Sequence, residues 1–151
     1  MGTYIFDLDG TLCDPSHRLH HISGKKKDYE AFYEACVDDK PKWDIVSLFK
    51  ALGEDVENNL YIVTGRSEAV KRKTTTWLER HKLWHHKLIM RPAGNKIPDH
   101  ILKRSWLHNG ILGPKEDIVC VFEDRPRVVD MWRNEGLTCL QVAEWKDERN
   151  E

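Results

Sequence analysis

The sequence predicts an α/β protein: a doubly wound, Rossmann-like, mostly parallel sheet of five strands with a short insertion after the first strand. Two observations lead there. Short, nearly uninterrupted apolar runs alternate with longer stretches of helical periodicity from one end of the chain to the other. The 151 residues leave room for one such domain, and no internal repeat or low-complexity tract breaks the alternation. The expected organisation is therefore one domain over residues 1–151, with residues 14–42 as a small lid.

Taken in order, the first predicted strand is Tyr4–Leu8, apolar and bounded by Asp7-Leu8-Asp9-Gly10. The stretch that follows is too long for a simple strand-to-helix turn; it holds His17, Arg18, His20 and His21, then Lys25-Lys26-Lys27 and a helical candidate over Asp28–Cys36. A second helix is expected over Trp43–Leu52, a strand over Leu60–Val63, and a helix over Glu68–Lys82 with Ser67 as its N-cap. Leu88–Met90 reads as a strand and Asp99–His108 as a helix. Ile118–Phe122 is a strand, and Pro126 and Gly136 bracket a helix over Arg127–Glu135, Pro suiting a first turn and Gly a C-terminal cap. In it Val128, Val129 and Trp132 make an apolar stripe aimed at a sheet. Thr138–Val142 supplies the last strand.

Composition narrows the function. The 24 Lys and Arg nearly cancel the 25 Asp and Glu, so a protein that coats nucleic acid through its phosphates is excluded and any such contact is local. No apolar run approaches the roughly 20 residues that span a bilayer, and no membrane partner is expected. Cys13, Cys36, Cys120 and Cys139 are widely spaced without a CxxC pair, which argues against zinc and for free thiols in a reducing, cytoplasmic setting. The tryptophans at helical positions, Trp77, Trp106 and Trp132, are expected in the core.

Open parallel sheets bind ligands at the carboxyl ends of their strands, and these ends are where the unusual residues fall. The first strand runs into Asp7-Leu8-Asp9-Gly10-Thr11. Alternation sends Asp7 and Asp9 to one face, where two carboxylates repel unless a cation or phosphoryl group draws on them. The second ends in Thr64-Gly65-Arg66-Ser67, a hydroxyl and a guanidinium suited to a phosphate, and the third in Met90-Arg91-Pro92. Lys103, directed by its helix, is preferred to the loop residue Lys96 as the ammonium near the carboxylates. The fourth ends in Phe122-Glu123-Asp124-Arg125; oxygen ligands from the first and fourth strand ends describe a magnesium site, against the simpler reading that Asp124 caps the helix at Pro126.

Together, DLDGTL at residues 7–12, TGR at 64–66, Lys103 and EDR at 123–125 resemble the four motifs of the haloacid dehalogenase (HAD) superfamily of phosphotransferases. Residues 122–145 also resemble the phosphatase domain of phage polynucleotide kinase/phosphatase, with Glu123-Asp124 where that domain has two aspartates and Thr64 where it has serine. No GxxxxGK[ST] occurs in the sequence, so no P-loop kinase segment is expected within it. The resemblance implies a HAD-type fold and a Mg2+-dependent phosphomonoesterase, with Asp7 as nucleophile and Asp9 as acid and base. It places Asp7, Asp9 and Asp124 on the metal, Thr64 and Lys103 on the phosphoryl oxygens, and Arg66, Arg91 and Arg125 on the substrate. The implied substrate is a phosphorylated nucleic-acid 3′ end, DNA or RNA, with no obligate protein partner. The competing readings are a phosphatase for free nucleotides or small phosphate esters, and a non-catalytic adaptor on the same fold. Lys25–Lys27 and Lys71-Arg72-Lys73 are candidate contacts for a strand, although such clusters are usually solvated surface.

Overall fold

The computed structural model describes residues 2–144; Met1 and residues 145–151, including the last residue of the phage-like stretch, lie outside the described residues. Five parallel strands form the sheet: β1 (Gly2–Phe6), β4 (Asn58–Ser67), β5 (Lys87–Arg91), β6 (Ile118–Glu123) and β7 (Cys139–Gln141), in the order β5-β4-β1-β6-β7. A two-stranded antiparallel ribbon, β2 (Cys13–Asp14) with β3 (Lys40–Pro41), brackets the inserted segment. The helices are α1 (Tyr29–Glu34), α2 (Trp43–Gly53), α3 (Lys71–Arg80), α4 (Asp99–His108) and α5 (Pro126–Asn134).

Strand alternation divides the core into two layers. Ile5, Val63 and Val121 pack with Leu102, Trp106, Val128, Val129 and Trp132 on the face covered by α4 and α5. Their neighbours Phe6, Ile62 and Phe122 pack with Val46, Phe49, Trp77 and Leu78 on the face covered by α2 and α3. Trp77 is 1% exposed and Trp132 0%, one anchoring each layer; each such side chain stabilises the fold by about 1.5–3 kcal/mol through burial. All four cysteines are free and buried. Among the described residues, no helix is long and apolar enough to cross a membrane.

Several boundaries differ from the sequence reading. β1 stops at Phe6 because the Leu8 carbonyl accepts from the N–H groups of Thr11, Leu12 and Cys13 (3.1, 2.9 and 3.1 Å), which commits Leu8 to a turn. β4 does not end at Val63: it includes Thr64-Gly65-Arg66-Ser67, and its register with β5 breaks between Val63 and Ser67. The expected helix over 68–82 begins with a 3₁₀ turn at Glu68–Val70, where the Ser67 hydroxyl accepts from the Ala69 N–H. α1 is one and a half turns long before it tightens into a 3₁₀ turn at Ala35–Asp38. Two-residue ribbons such as β2–β3 leave too little alternation to be read from a sequence.

Candidate active site

The backbone after β1 builds the site. The Asp7 N–H still donates to the Phe122 carbonyl of β6 (3.0 Å), so its side chain emerges beside those that follow β6. Gly10 then takes φ +85°, which turns the chain over the Asp124 carboxylate; a Cβ at Gly10 would collide with that group. Thr11 Oγ1 donates to Asp124 Oδ1 from the same turn (3.2 Å). Gly10→Ala is therefore expected to cost about 1–2 kcal/mol through the left-handed backbone alone. By displacing Asp124 it should also lower catalytic turnover about 100-fold. Thermal unfolding and a rate assay measure both, and unaltered turnover would show that this contact does not set the position of Asp124.

Carboxylate oxygens of Asp7, Glu123 and Asp124 lie within 4.8 Å of one another, and all three residues are buried. Lys103, 2% exposed, reaches in from α4 and donates to Asp7 Oδ1 and Glu123 Oε2, both at 2.8 Å. Arg125 also turns its charge toward Asp7 and Glu123, yet burial dominates the balance of the three acids. Burial, then the charge of Glu123, pushes the Asp7 carboxyl up to about 8 despite Lys103; burial and then Asp7 push Asp124 up to about 7. Glu123 is raised by burial as well. Burial works against the Lys103 charge, but the facing carboxylates outweigh it and hold the ammonium protonated. A cluster of hard oxygen donors with surplus negative charge fits a divalent cation, which would restore the balance. The N-cap of α5 is Arg125, whose side chain makes no cap hydrogen bond.

Asp9 turns elsewhere. Arg66 donates to it through Nη2 (2.5 Å) and Nε (3.4 Å), and Arg18 Nη2 donates to the same Oδ1. Burial would raise the Asp9 carboxyl, but the guanidiniums of Arg66 and Arg18 prevail and hold it well below the usual carboxylate range. Asp39, 4% exposed, completes the group: Arg18 Nε and Nη2 donate to its two oxygens (2.8 and 2.7 Å), and His17 Nε2 lies 2.7 Å from Oδ1. A third group sits at the end of β5, where Arg91 and Arg125 grip opposite oxygens of Asp99, the latter at 2.6 Å. Asp99 also packs against Gly65, where a Cβ would strike its carboxylate.

Thus Asp7, Asp124, Lys103 and the previously unassigned Glu123 come together, while Asp9 faces a neighbouring cluster. Thr64 is 1% exposed and its Oγ1 accepts from the Arg66 N–H (3.1 Å). Arg66, predicted to face substrate, is 2% exposed and also binds Thr74 Oγ1 (3.0 Å); its guanidinium is spent inside the protein. Arg91 likewise donates to the carbonyls of Gly65 (2.7 Å) and Ile97 (2.5 Å). Asp39 and Asp99 escaped the sequence reading. Asp99 stands four residues before Lys103 on one helix face, a spacing that offered a signal; Asp39, inside the irregular segment, offered none.

Residues 2–146 match the family described as the polynucleotide kinase PNKP phosphatase domain. The chain belongs to that family. It is a phosphatase of the HAD type, and its sheet is shared by HAD hydrolases of low sequence identity. One is the Bacillus subtilis HAD-hydrolase YfnB in a magnesium-bound crystal structure (TM-score 0.61, 11% identity, 98% of this chain and 95% of that one). A protein of Autographa californica nuclear polyhedrosis virus, named as a polynucleotide kinase/RNA ligase, is 30% identical over 129 residues, 85% of this chain and 17% of that protein. Two chains from structures of a Pnkp1/Rnl/Hen1 complex, one titled an RNA repair complex, superpose with TM-scores of 0.79 and 0.80 at 26% and 27% identity. Each match covers 97% of this phosphatase but 43% and 47% of the other chain, so the phosphatase spans less than half the length of these relatives.

Proposed function

We propose that the phosphatase is a Mg2+-dependent polynucleotide 3′-phosphatase acting on DNA or RNA ends through an aspartyl-phosphate on Asp7. The observation that carries the chemistry is the convergence of the buried Asp7, Glu123 and Asp124 carboxylates beside the Lys103 ammonium. Family membership and the RNA-repair setting of the Pnkp1 relatives support the choice of a nucleic-acid end.

In the first half-reaction an Asp7 oxygen attacks phosphorus in line, the P–O bond to the nucleoside breaks, and Asp9 delivers a proton to the departing 3′-oxygen. In the second, water attacks the aspartyl-phosphate, Asp9 takes its proton, and Asp7 is released with inorganic phosphate. Arg66 and Arg18 favour the ionised Asp9 that the second half needs and make its protonated form costly in the first. A bound Mg2+, held by Asp7, Asp124 and the Asp9 main chain, would offset the repulsion between anionic nucleophile and anionic substrate. Lys103 and Thr64 hold phosphoryl oxygens; Arg125, tied through Asp99 to Arg91, orients the substrate's flank. The segment over residues 14–42 acts as a short lid, its Arg18 tied to Asp9.

The test is a side-by-side rate comparison, with and without Mg2+, on a 3′-phosphorylated oligonucleotide, a 5′-phosphorylated one, a mononucleotide and p-nitrophenyl phosphate. Preference for the 3′-phosphorylated oligonucleotide, lost with chelator, is expected. Faster turnover of the mononucleotide would overturn the substrate assignment, and no turnover of any ester would leave a non-catalytic adaptor.

A further inference from the structure

Helix α1 has a fixed inner face and an outer face that the reaction so far leaves unused. Phe32, 8% exposed, lies under the Arg18 guanidinium, 4.3 Å from ring centroid to Cζ, and its carbonyl accepts from Arg18 Nη1 at 3.2 Å. Arg18 is also a clamp on Asp9, so a single side chain ties α1 to the catalytic acid. Tyr29 and Tyr33, one helical turn apart, stand together, with ring centroids 6.3 Å apart and planes inclined by 35°. Tyr29 is 48% exposed. Tyr33 is half-buried, its ring 5.5 Å from that of Phe32, the residue that Arg18 links to Asp9.

The residues just before α1 add charge. Residues 23–30 are all exposed, and Lys25, Lys26 and Lys27 make no ion pair among the described residues. Two of the neighbouring acids are already engaged: Asp28 accepts the Ala31 N–H as the cap of α1, and Glu34 pairs with Lys73. A lone exposed aromatic ring needs no explanation. Two rings stepping from solvent toward a phosphate-handling centre, beside three lysines, present the two components that bind single strands: π-faces for bases and cations for the backbone.

We propose that Tyr33 and Tyr29 form a stacking step for the last bases of a single-stranded 3′ end, with Lys25–Lys27 following its phosphates. The inference rests on the 3′-phosphatase reading and adds what distinguishes a polynucleotide from a small phosphate ester. The rings would act on KM for oligonucleotides, since they hold bases and do not touch the reacting phosphorus.

The experiment compares wild type, Tyr29→Ala, Tyr33→Ala and Tyr33→Phe on three substrates: a 3′-phosphorylated oligonucleotide, the same strand with its last two nucleosides replaced by a stable abasic analogue, and p-nitrophenyl phosphate. Each alanine variant is expected to raise KM for the normal oligonucleotide about 5- to 100-fold, with kcat and p-nitrophenyl phosphate turnover nearly unchanged. Tyr33→Phe should retain wild-type KM. On the abasic strand wild type should be weakened by a similar factor, and the alanine variants should lose little more, because ring and base report one interaction. Lys25→Gln/Lys26→Gln/Lys27→Gln should flatten the salt dependence of KM. Normal oligonucleotide KM in Tyr29→Ala and Tyr33→Ala, or equal losses on normal and abasic strands, overturns the stacking step while leaving the 3′-phosphatase reading in place. Should Tyr33→Ala also lose p-nitrophenyl phosphate turnover, Tyr29→Ala and Tyr33→Phe decide the matter. Failure of wild type on the oligonucleotide, with p-nitrophenyl phosphate still hydrolysed, overturns the substrate reading itself.

Discussion

Asp7→Asn is expected to abolish phosphatase turnover while making the metal-free protein more stable than wild type. An amide cannot serve as the nucleophile, so turnover should fall by roughly 10⁴–10⁶, the scale seen when a covalent nucleophile is removed. The stability gain follows from charge. Asp7, Glu123 and Asp124 crowd together beside Lys103, and burial raises all three carboxyls. A carboxyl whose folded pKa lies above its unfolded value contributes fully at low pH and loses that contribution as pH rises through the folded value. For Asp7 and Asp124 the loss runs from about 4 to about 8, so metal-free wild type should weaken between pH 5 and pH 8.5. Asp9 has the opposite sign: Arg66 and Arg18 lower its carboxyl, and its contribution is lost only as pH falls below the ordinary carboxylate range. Asp7→Asn should thus stabilise the metal-free protein by about 1–4 kcal/mol at pH 8.5, and by much less at pH 5. Mg2+ should raise the wild-type unfolding temperature more at pH 8.5 than at pH 5, with a smaller effect on the variant. Thermal unfolding in EDTA and in Mg2+ at both pH values checks each part, and a variant no more stable than wild type at pH 8.5 would contradict the charge imbalance.

Arg18→Ala should have the largest destabilising effect among the charged residues. Its guanidinium is fully buried, holds both oxygens of Asp39, shares Asp9 with Arg66, and covers the Phe32 ring. Removing it leaves Asp39, itself 4% exposed, with His17 and a 3.4 Å contact to Arg66. Breaking a buried pair in this way costs about 3–5 kcal/mol. Turnover should fall about 100-fold or more as Asp9 loses one of its two positioning groups. Arg18→Lys should not restore it, since a single ammonium cannot span two carboxylates and a backbone carbonyl with fixed geometry. Urea unfolding and p-nitrophenyl phosphate hydrolysis measure both effects; wild-type values for either would show that Asp39 does not depend on Arg18.

The legible features of this chain share one property: each is written in a local pattern. Five parallel strands, the helix bracketed by Pro126 and Gly136, and three core tryptophans follow from periodicity and caps, although the edge strand β7 exposes Leu140 and Gln141. The carboxyl-edge motifs were legible because Gly10, Gly65 and the acids beside them have no business in an apolar strand end without a ligand. What stayed hidden depended on contacts between distant segments. The inserted segment reads as polar and irregular, yet it buries Arg18 and Asp39, because each neutralises the other and both meet Asp9. The alternation rule sends Asp7 and Asp9 to one face, but the turn that begins at Leu8 intervenes and the two enter different clusters.

By itself, the sequence determined the doubly wound sheet, the edge at which chemistry gathers and the residue types available there, since hydrophobic periodicity and glycine positions are local properties. Only the tertiary structure decided which charges face which: that Glu123 joins Asp7 and Asp124 around Lys103, and that Arg66 and Arg18 belong to Asp9. Electrostatic energy falls with distance and grows with burial, and neither quantity exists until residues 7, 18, 66, 103 and 123 are brought together in space.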